Sequence, residues 1–190
     1  MNRRSLLLKL TLAGGGLMAA ALSVPFLRSL LPSEKAKNLG APVTVDISSL
    51  GSGEVLKTRW RGRTILVFKR TEGMLRSVGK MQDRLLDDET PDDKWQPAYV
   101  DPEHRGLSEE LIVLDGTCTH LGCVPSLESS KGHPRVGAWF EGGLVCACHF
   151  SAYDFAGRVV KGPAPRNLRI PPYRLADKNT LIIGESPLSA

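Results

Sequence analysis

The chain has no internal repeat, no glycine-rich loop ahead of a helix to cradle a phosphate, and no Ser/His/Asp arrangement of the hydrolytic kind. These absences set aside repeat architectures, phosphate-loop nucleotide chemistry and triad catalysis. Net charge is also missing where it would matter. From Val43 onward there are nineteen acids and nineteen Lys/Arg, and the formal charge of +5 comes from the segment before Val43, with six Lys/Arg against one acid. The basic balance therefore describes the N-terminus and gives no ground for nucleic-acid binding. Cysteine and histidine are sparse, four of each in 190 residues, but they are not scattered.

All four cysteines fall in two short stretches, Cys118-Thr119-His120-Leu121-Gly122-Cys123 and Cys146-Ala147-Cys148-His149. Each supplies one Cys and one His at close spacing, Cys118 with His120 and Cys146 with His149, and each has one cysteine to spare. Two thiolates and two neutral imidazoles from two loops suit a [2Fe–2S] centre of mixed ligation, Cys on one iron and His on the other. The spare pair, Cys123 and Cys148, is then available for a disulfide between the loops. Two other readings use the same residues. A structural zinc site also takes two Cys and two His, but it leaves Cys123 and Cys148 without a role and does not need the Cys-x-His spacing. Two disulfides would use all four cysteines and make the adjacent histidines incidental.

In this pattern the chain resembles the Rieske iron–sulfur proteins, and among them the bacterial iron–sulfur subunits of ubiquinol–cytochrome c reductase, the respiratory cytochrome bc complex. The resemblance is carried by Cys-Thr-His-Leu-Gly-Cys-Val-Pro (118–125), Cys-Ala-Cys-His-Phe-Ser-Ala-Tyr-Asp (146–154) and Gly-Pro-Ala-Pro-Arg-Asn-Leu (162–168). Weaker similarity runs from Val43 to Thr71 and through Pro171-Pro172-Tyr173. The resemblance implies that Cys118 and Cys146 ligate an inner iron, that His120 and His149 hold an outer iron near the surface, and that Cys123 and Cys148 form the disulfide. Ser151 and Tyr153 match positions whose hydroxyls hydrogen-bond a bridging sulfide and a ligand sulfur. Such donors stabilise the electron-rich reduced state and raise the potential. Leu121 and Gly122 in the first loop and Pro163 in the third are expected to lie against the cluster, with Leu121 also packing in a docking surface. Two residues depart from the family pattern. Ala147 stands where proline is usual, which frees φ there. Phe150 stands where glycine is usual, and is strained if that position needs a positive φ.

Leu10 to Leu27 carries no charge and is bounded by Lys9 and Arg28. Eighteen residues is close to the minimum for spanning a bilayer, and snorkelling of the flanking bases extends it. Gly14-Gly15-Gly16 and Pro25 are tolerated in a membrane helix. Arg3, Arg4 and Lys9 on the N-terminal side put that end in the cytoplasm. Arg3-Arg4-Ser5-Leu6-Leu7 resembles a twin-arginine export signal, and Ala19-Ala20-Ala21 offers a cleavage site, although the family keeps its signal as the anchor. Residues 1–9 thus read as a cytoplasmic flank and 10–31 as a transmembrane anchor. The polar, aperiodic stretch 32–42 reads as a tether that reaches roughly 35 Å when extended.

Residues 43–190 read as one mainly β domain, an antiparallel β sandwich with an inserted cluster-binding lobe at about 115–165. Strand-like runs recur at 43–47, 55–60, 64–69, 111–114, 143–146, 159–161 and 180–183, parted by Gly, Pro and Asp turns. One helix is expected over about 71–87. A disordered-looking segment follows to Arg105 and begins with the acidic run Asp87–Asp93, read as a solvated loop. His104 and His133 read as surface residues.

What the resemblance implies for function is an iron–sulfur subunit of a membrane quinol–cytochrome c oxidoreductase, holding one [2Fe–2S] cluster. Its partners would be a cytochrome b subunit and a c-type cytochrome subunit in a dimeric complex. It would sit in the lipid bilayer of the bacterial inner membrane with its head in the periplasm, an oxidising compartment that suits the disulfide. His149 would be the catalytic, quinol-binding residue, accepting a hydrogen bond and then a proton from the quinol as one electron is taken up and passed to the c-type cytochrome. The alternative is the Rieske subunit of a periplasmic oxidase such as arsenite oxidase.

Overall fold

The computed structural model describes all residues except 1, 34, 35, 37, 39, 88–94 and 188–190. Most of the acidic run and part of the expected tether therefore lie outside the described residues. The chain divides into two compact units, residues 1–39 and 40–190.

The first unit is built on α1 (Arg3–Ser29), a helix of 27 residues with none buried and with Pro25 inside it. By length and composition it is apolar enough to cross a membrane. At 1.5 Å per residue it is roughly 40 Å long, against about 30 Å of bilayer hydrocarbon. Its two mid-helix hydroxyls are satisfied internally, Thr11 donating to Leu7 O (2.9 Å) and Ser23 to Ala19 O (2.6 Å), so neither needs water in an apolar surrounding.

The second unit holds ten strands among the described residues: β1 (Val43–Asp46), β2 (Val55–Trp60), β3 (Arg63–Lys69), β4 (Leu111–Asp115), β5 (Ser126–Glu128), β6 (Gly143–Val145), β7 (Ala152–Tyr153), β8 (Val159–Lys161), β9 (Tyr173–Asp177) and β10 (Thr180–Ile183). They form three antiparallel sheets, β1-β10-β9, β2-β3-β4 and β5-β6-β7-β8. Val67, Phe68, Ile112, Val113 and Leu114 are wholly buried. Consecutive buried residues mean that β3 and β4 are covered on both faces, which is why their sequences run apolar without alternating. The third sheet is a meander whose register sets Ser126, Val145, Ala152 and Lys161 in one row. Three connections therefore open at that one edge: the loop entering β5, the loop between β6 and β7, and the loop leaving β8.

Several expectations are corrected. Strands β5, β7 and β9 were not anticipated, the first two because two or three residues are too few for alternation to register. The helix α2 (Glu72–Lys80) is shorter than 71–87. Thr71 caps it by accepting from Met74 N (3.2 Å), and after Lys80 the chain tightens into a 3₁₀ turn, Gln82–Arg84, about the buried Met81. Residues 95–105, which read as disordered, are pinned to the lobe. The buried Arg105 donates to Gln96 Oε1 (2.9 Å), Ala156 O (2.8 Å) and Leu168 O (2.6 Å), and Trp95 Nε1 donates to Asn167 O (2.7 Å). The buried Arg70 holds the same stretch through His104 O and the residues just after it through Glu109 O, both at 2.7 Å. Burial pulls each guanidinium down to about 10, so both stay charged at neutral pH. A polar composition hid this order because the polar groups are spent on internal carbonyls. His104 and His133 are each half-exposed, so both still reach the surface.

Candidate metal centre

Two of the three loops at the common edge close in the same way. In the first, Cys118 N donates to Cys123 O (2.8 Å) and Gly122 N to Cys118 O (2.9 Å). In the second, Cys146 N donates to Ser151 O (2.9 Å) and Phe150 N to Cys146 O (2.8 Å). Gly122 and Phe150 therefore occupy corresponding positions, and both have positive φ, 86° and 60°. A β-carbon at Gly122 would have room, with nothing nearer than 3.8 Å, so conformation alone asks for glycine there. Phe150 adopts that conformation with a side chain attached. Its ring packs against the small apolar cluster of Val136, Phe140, Val145, Ala152 and Val160, and the Arg135 guanidinium lies 4.5 Å above it. Both contacts offset the backbone strain. Replacing Phe150 separates the two contributions. Phe150→Ala and Phe150→Gly both lose the ring, but only glycine relieves φ. Phe150→Gly is expected to be the more stable of the two by about 1 kcal/mol in urea unfolding, the reverse of the usual order.

Cys123 and Cys148 are joined in a disulfide that ties the two loops, with Cα atoms 6.7 Å apart. Cys118 and Cys146 are free and buried, which removes the two-disulfide reading. His120 is half-buried and His149 exposed, with ring centroids 4.7 Å apart, edge to face. The sulfurs of Cys123, Cys146 and Cys148 all lie within 4.8 Å of one another, but two of them are bonded together and have no thiolate to give. The usable donors are two inner thiols and two imidazoles toward the surface. Burial pushes the Cys146 thiol up, and Cys118 beside it adds to this, so a bound metal must displace its proton. Soft sulfur inside and nitrogen outside fit a [2Fe–2S] group of mixed ligation.

One hydroxyl of the surroundings reaches a thiol, and a second lies free to donate nearby. Tyr153 is wholly buried. Its oxygen accepts from Thr119 N (3.2 Å) and lies 3.3 Å from both Cys118 Sγ and Thr119 Oγ1, so the phenolic hydrogen is shared between the sulfur and that hydroxyl. Burial, together with Cys118, pushes the Tyr153 phenol well above its ordinary range, so it stays protonated and donating. Gly143, at φ 148°, lets β6 lie close enough to fix Tyr153, since a β-carbon there would come within 2.0 Å of Tyr153 O. Ser151 Oγ accepts from Ala164 N (3.0 Å), so its own hydrogen is available to an acceptor in the site. Leu121 is strongly exposed, Ala147 and Gly122 are exposed, and in the third loop Pro163 is exposed while Ala164 is buried. Thr119, not assigned a role from sequence, fastens the first loop to the third by donating to Arg166 O (2.7 Å). Asn167 braces the third loop from behind, accepting from Val159 N (2.7 Å) and donating to Asp87 O (3.1 Å). Both residues lie within the motifs, but nothing in sequence marks what they hold.

A family model described as a Rieske [2Fe-2S] domain matches residues 88–173. The chain is 39% identical over 189 residues to the ubiquinol-cytochrome c reductase iron-sulfur subunit of Allochromatium vinosum, a match covering 99% of this chain and 91% of that protein. The subunit of the same name from Blastochloris viridis is 39% identical over 183 residues, covering 96% of this chain and 93% of that one. Among solved structures, a chain of a hyperthermophilic respiratory Complex III overlaps 93% of this chain and 98% of its own length at 26% identity, with a TM-score of 0.49.

Proposed function

The chain belongs to the Rieske iron–sulfur subunits of ubiquinol–cytochrome c reductase, and from that premise we propose that Cys118, Cys146, His120 and His149 hold its [2Fe–2S] cluster and that His149 meets the quinol. The observation that carries the reading is the pair of free buried thiols beneath two outward imidazoles, with the other two cysteines tying their loops together. When bound, the cluster supplies a one-electron acceptor. His149, exposed at the tip, offers Nε2 to the quinol hydroxyl and takes its proton. Leu121, exposed beside His120, keeps water from the ligand histidines once a partner covers it. Tyr153 and Ser151 hold hydrogen bonds toward the sulfur side. In this reading the electron goes on to a c-type cytochrome subunit, and a cytochrome b subunit supplies the quinol pocket in a dimeric complex.

The same reading makes residues 1–9 a cytoplasmic flank, 10–31 the single span in the inner membrane, 32–42 the tether and 43–190 a periplasmic head. Arg3, Arg4 and Lys9 support that orientation, and Arg3-Arg4 supports export of the head already folded.

The test is an EPR spectrum of ascorbate-reduced membranes carrying this chain, with haem analysis of the purified complex. The expected result is a rhombic signal with an average g value below that of the free electron, together with co-purifying b- and c-type haem. Colourless protein with stoichiometric zinc overturns the ligand assignment. A molybdenum subunit in place of the haems overturns the partner assignment.

A further inference from the structure

The connection between β5 and β6, residues 129–142, leaves the lobe at the end away from the metal centre yet folds back to reach it. Gly132 N donates to Phe140 O (2.6 Å) and His133 N to Gly137 O (3.1 Å), closing a turn that presents Arg135. Lys161, in the row at the site edge, fastens this turn through the carbonyls of Arg135 and Val136. Arg135 then lies 4.5 Å over the Phe150 ring, and the His133 ring is 6.4 Å from the same ring. In the third loop Arg166 lies 5.5 Å over Trp95. Both arginines are exposed, and the ion pairs among the described residues involve neither. Residues 116–125, 146–153 and 162–168 contain no acid, although acids and bases balance over the head as a whole. Leu121 and Val124 stand 72% and 42% exposed in the first loop.

A guanidinium stacked on a ring is held in place with N–H groups left to donate; carboxylates and phosphates take its fork in two-point contact, and on a protein partner that group is a carboxylate. We propose that Arg135 on Phe150 and Arg166 on Trp95 are two flanking receptors for carboxylates on the face of the c-type cytochrome subunit; this rests on the reading of function above. The apolar Leu121 meets the uncharged centre of that face. A fork of this kind suits a partner surface met in water, because burying it in an apolar pocket without an acid is costly. The strained Phe150 then has a purpose: it is the ring that orients Arg135.

The experiment uses the full complex. The rate of c-type haem reduction is followed after rapid mixing with quinol, at low and high salt, with b-type haem reduction and the EPR signal read in parallel. The Arg135→Glu/Arg166→Glu double variant is expected to reduce the c-type haem about tenfold more slowly at low salt. Added salt should slow the wild type but speed the variant, since screening removes attraction in one and repulsion in the other. Arg135→Lys keeps the charge without the fork and should fall between the two. The EPR signal and b-type haem reduction should stay as in the wild type. A rate unchanged by charge reversal overturns the proposal, as does a slowing that salt does not alter or one shared equally by the b-type haem. Wild-type complex lacking both haems would overturn the functional reading itself, whereas haems present with unaltered variant rates overturn only the flanks.

Discussion

His149→Ala and His149→Asp are each expected to abolish the cluster: no EPR signal in ascorbate-reduced membranes, iron at background, and a head that is still folded. The chemistry and the fold separate cleanly here because of where the residue sits. His149 is exposed, and its ring meets the His120 ring edge to face. The loop around it is closed by backbone bonds, Cys146 N to Ser151 O and Phe150 N to Cys146 O, and by the Cys123–Cys148 disulfide. None of these uses the imidazole. Removing it therefore costs little packing, yet takes away one of the two nitrogens in the proposed ligand set. Aspartate replaces a neutral nitrogen with a charged, harder oxygen and is not an equivalent ligand. His133→Ala is the control, since its Nδ1 accepts from Arg135 N at 3.2 Å and serves the turn rather than the thiols. It should keep the signal. An intact signal in His149→Ala would remove that residue from the ligand set, and circular dichroism of the variant shows whether a lost signal is merely a lost fold.

The candidate donors stand out in sequence because their pattern is local: a Cys and a His two or three positions apart, twice over. The long strands were legible for the same reason, as β2 and β10 follow the expected boundaries and β3 begins one residue earlier, at Arg63. What escaped depends on partners distant in the chain. Strand β7 has two residues and exists because β6 and β8 lie on either side of it. Arg70 and Arg105 are types that usually face water, yet each fills the interior by donating to carbonyls more than thirty residues away, Arg105 also to the nearer Gln96. Thr119 gains its role only when Tyr153 and Arg166 arrive beside it. Phe150 lies between these cases. The sequence exposes the departure from glycine, but the positive φ follows only once its loop is seen to close as the Gly122 loop does.

The double variant Ser151→Ala/Tyr153→Phe is expected to keep the cluster and lower its potential by roughly 60–130 mV, measured by redox titration of the EPR signal. The size follows from the hydrogen bonds removed. A hydrogen bond to a charged acceptor contributes about 1.5–3 kcal/mol. The sulfur accepts in both redox states, so only the increment on reduction moves the potential. Taking about half of the bond as that increment, with 59 mV for each tenfold change in a one-electron equilibrium, gives roughly 30–65 mV for each hydroxyl. Tyr153 has the firmer claim, being 3.3 Å from Cys118 Sγ with its oxygen already occupied by Thr119 N. Ser151 lies in the second loop, two residues before Tyr153, with its oxygen held by Ala164 N. Because burial raises the Tyr153 phenol, it remains a donor through the range near 10 where an ordinary tyrosine ionises, and no step in potential should arise from it there. The variant also strands the Thr119 and Ala164 amides, so the thermal midpoint should fall by an amount corresponding to about 1–3 kcal/mol for each amide left without a partner. That loss and the potential shift are separable in the single variants, since Ser151→Ala should carry its stability cost whether or not its hydrogen reaches a sulfur. An unchanged potential in the double variant would show that these hydroxyls hold the loops and nothing more, while loss of the signal would make them necessary for assembling the cluster rather than for tuning it.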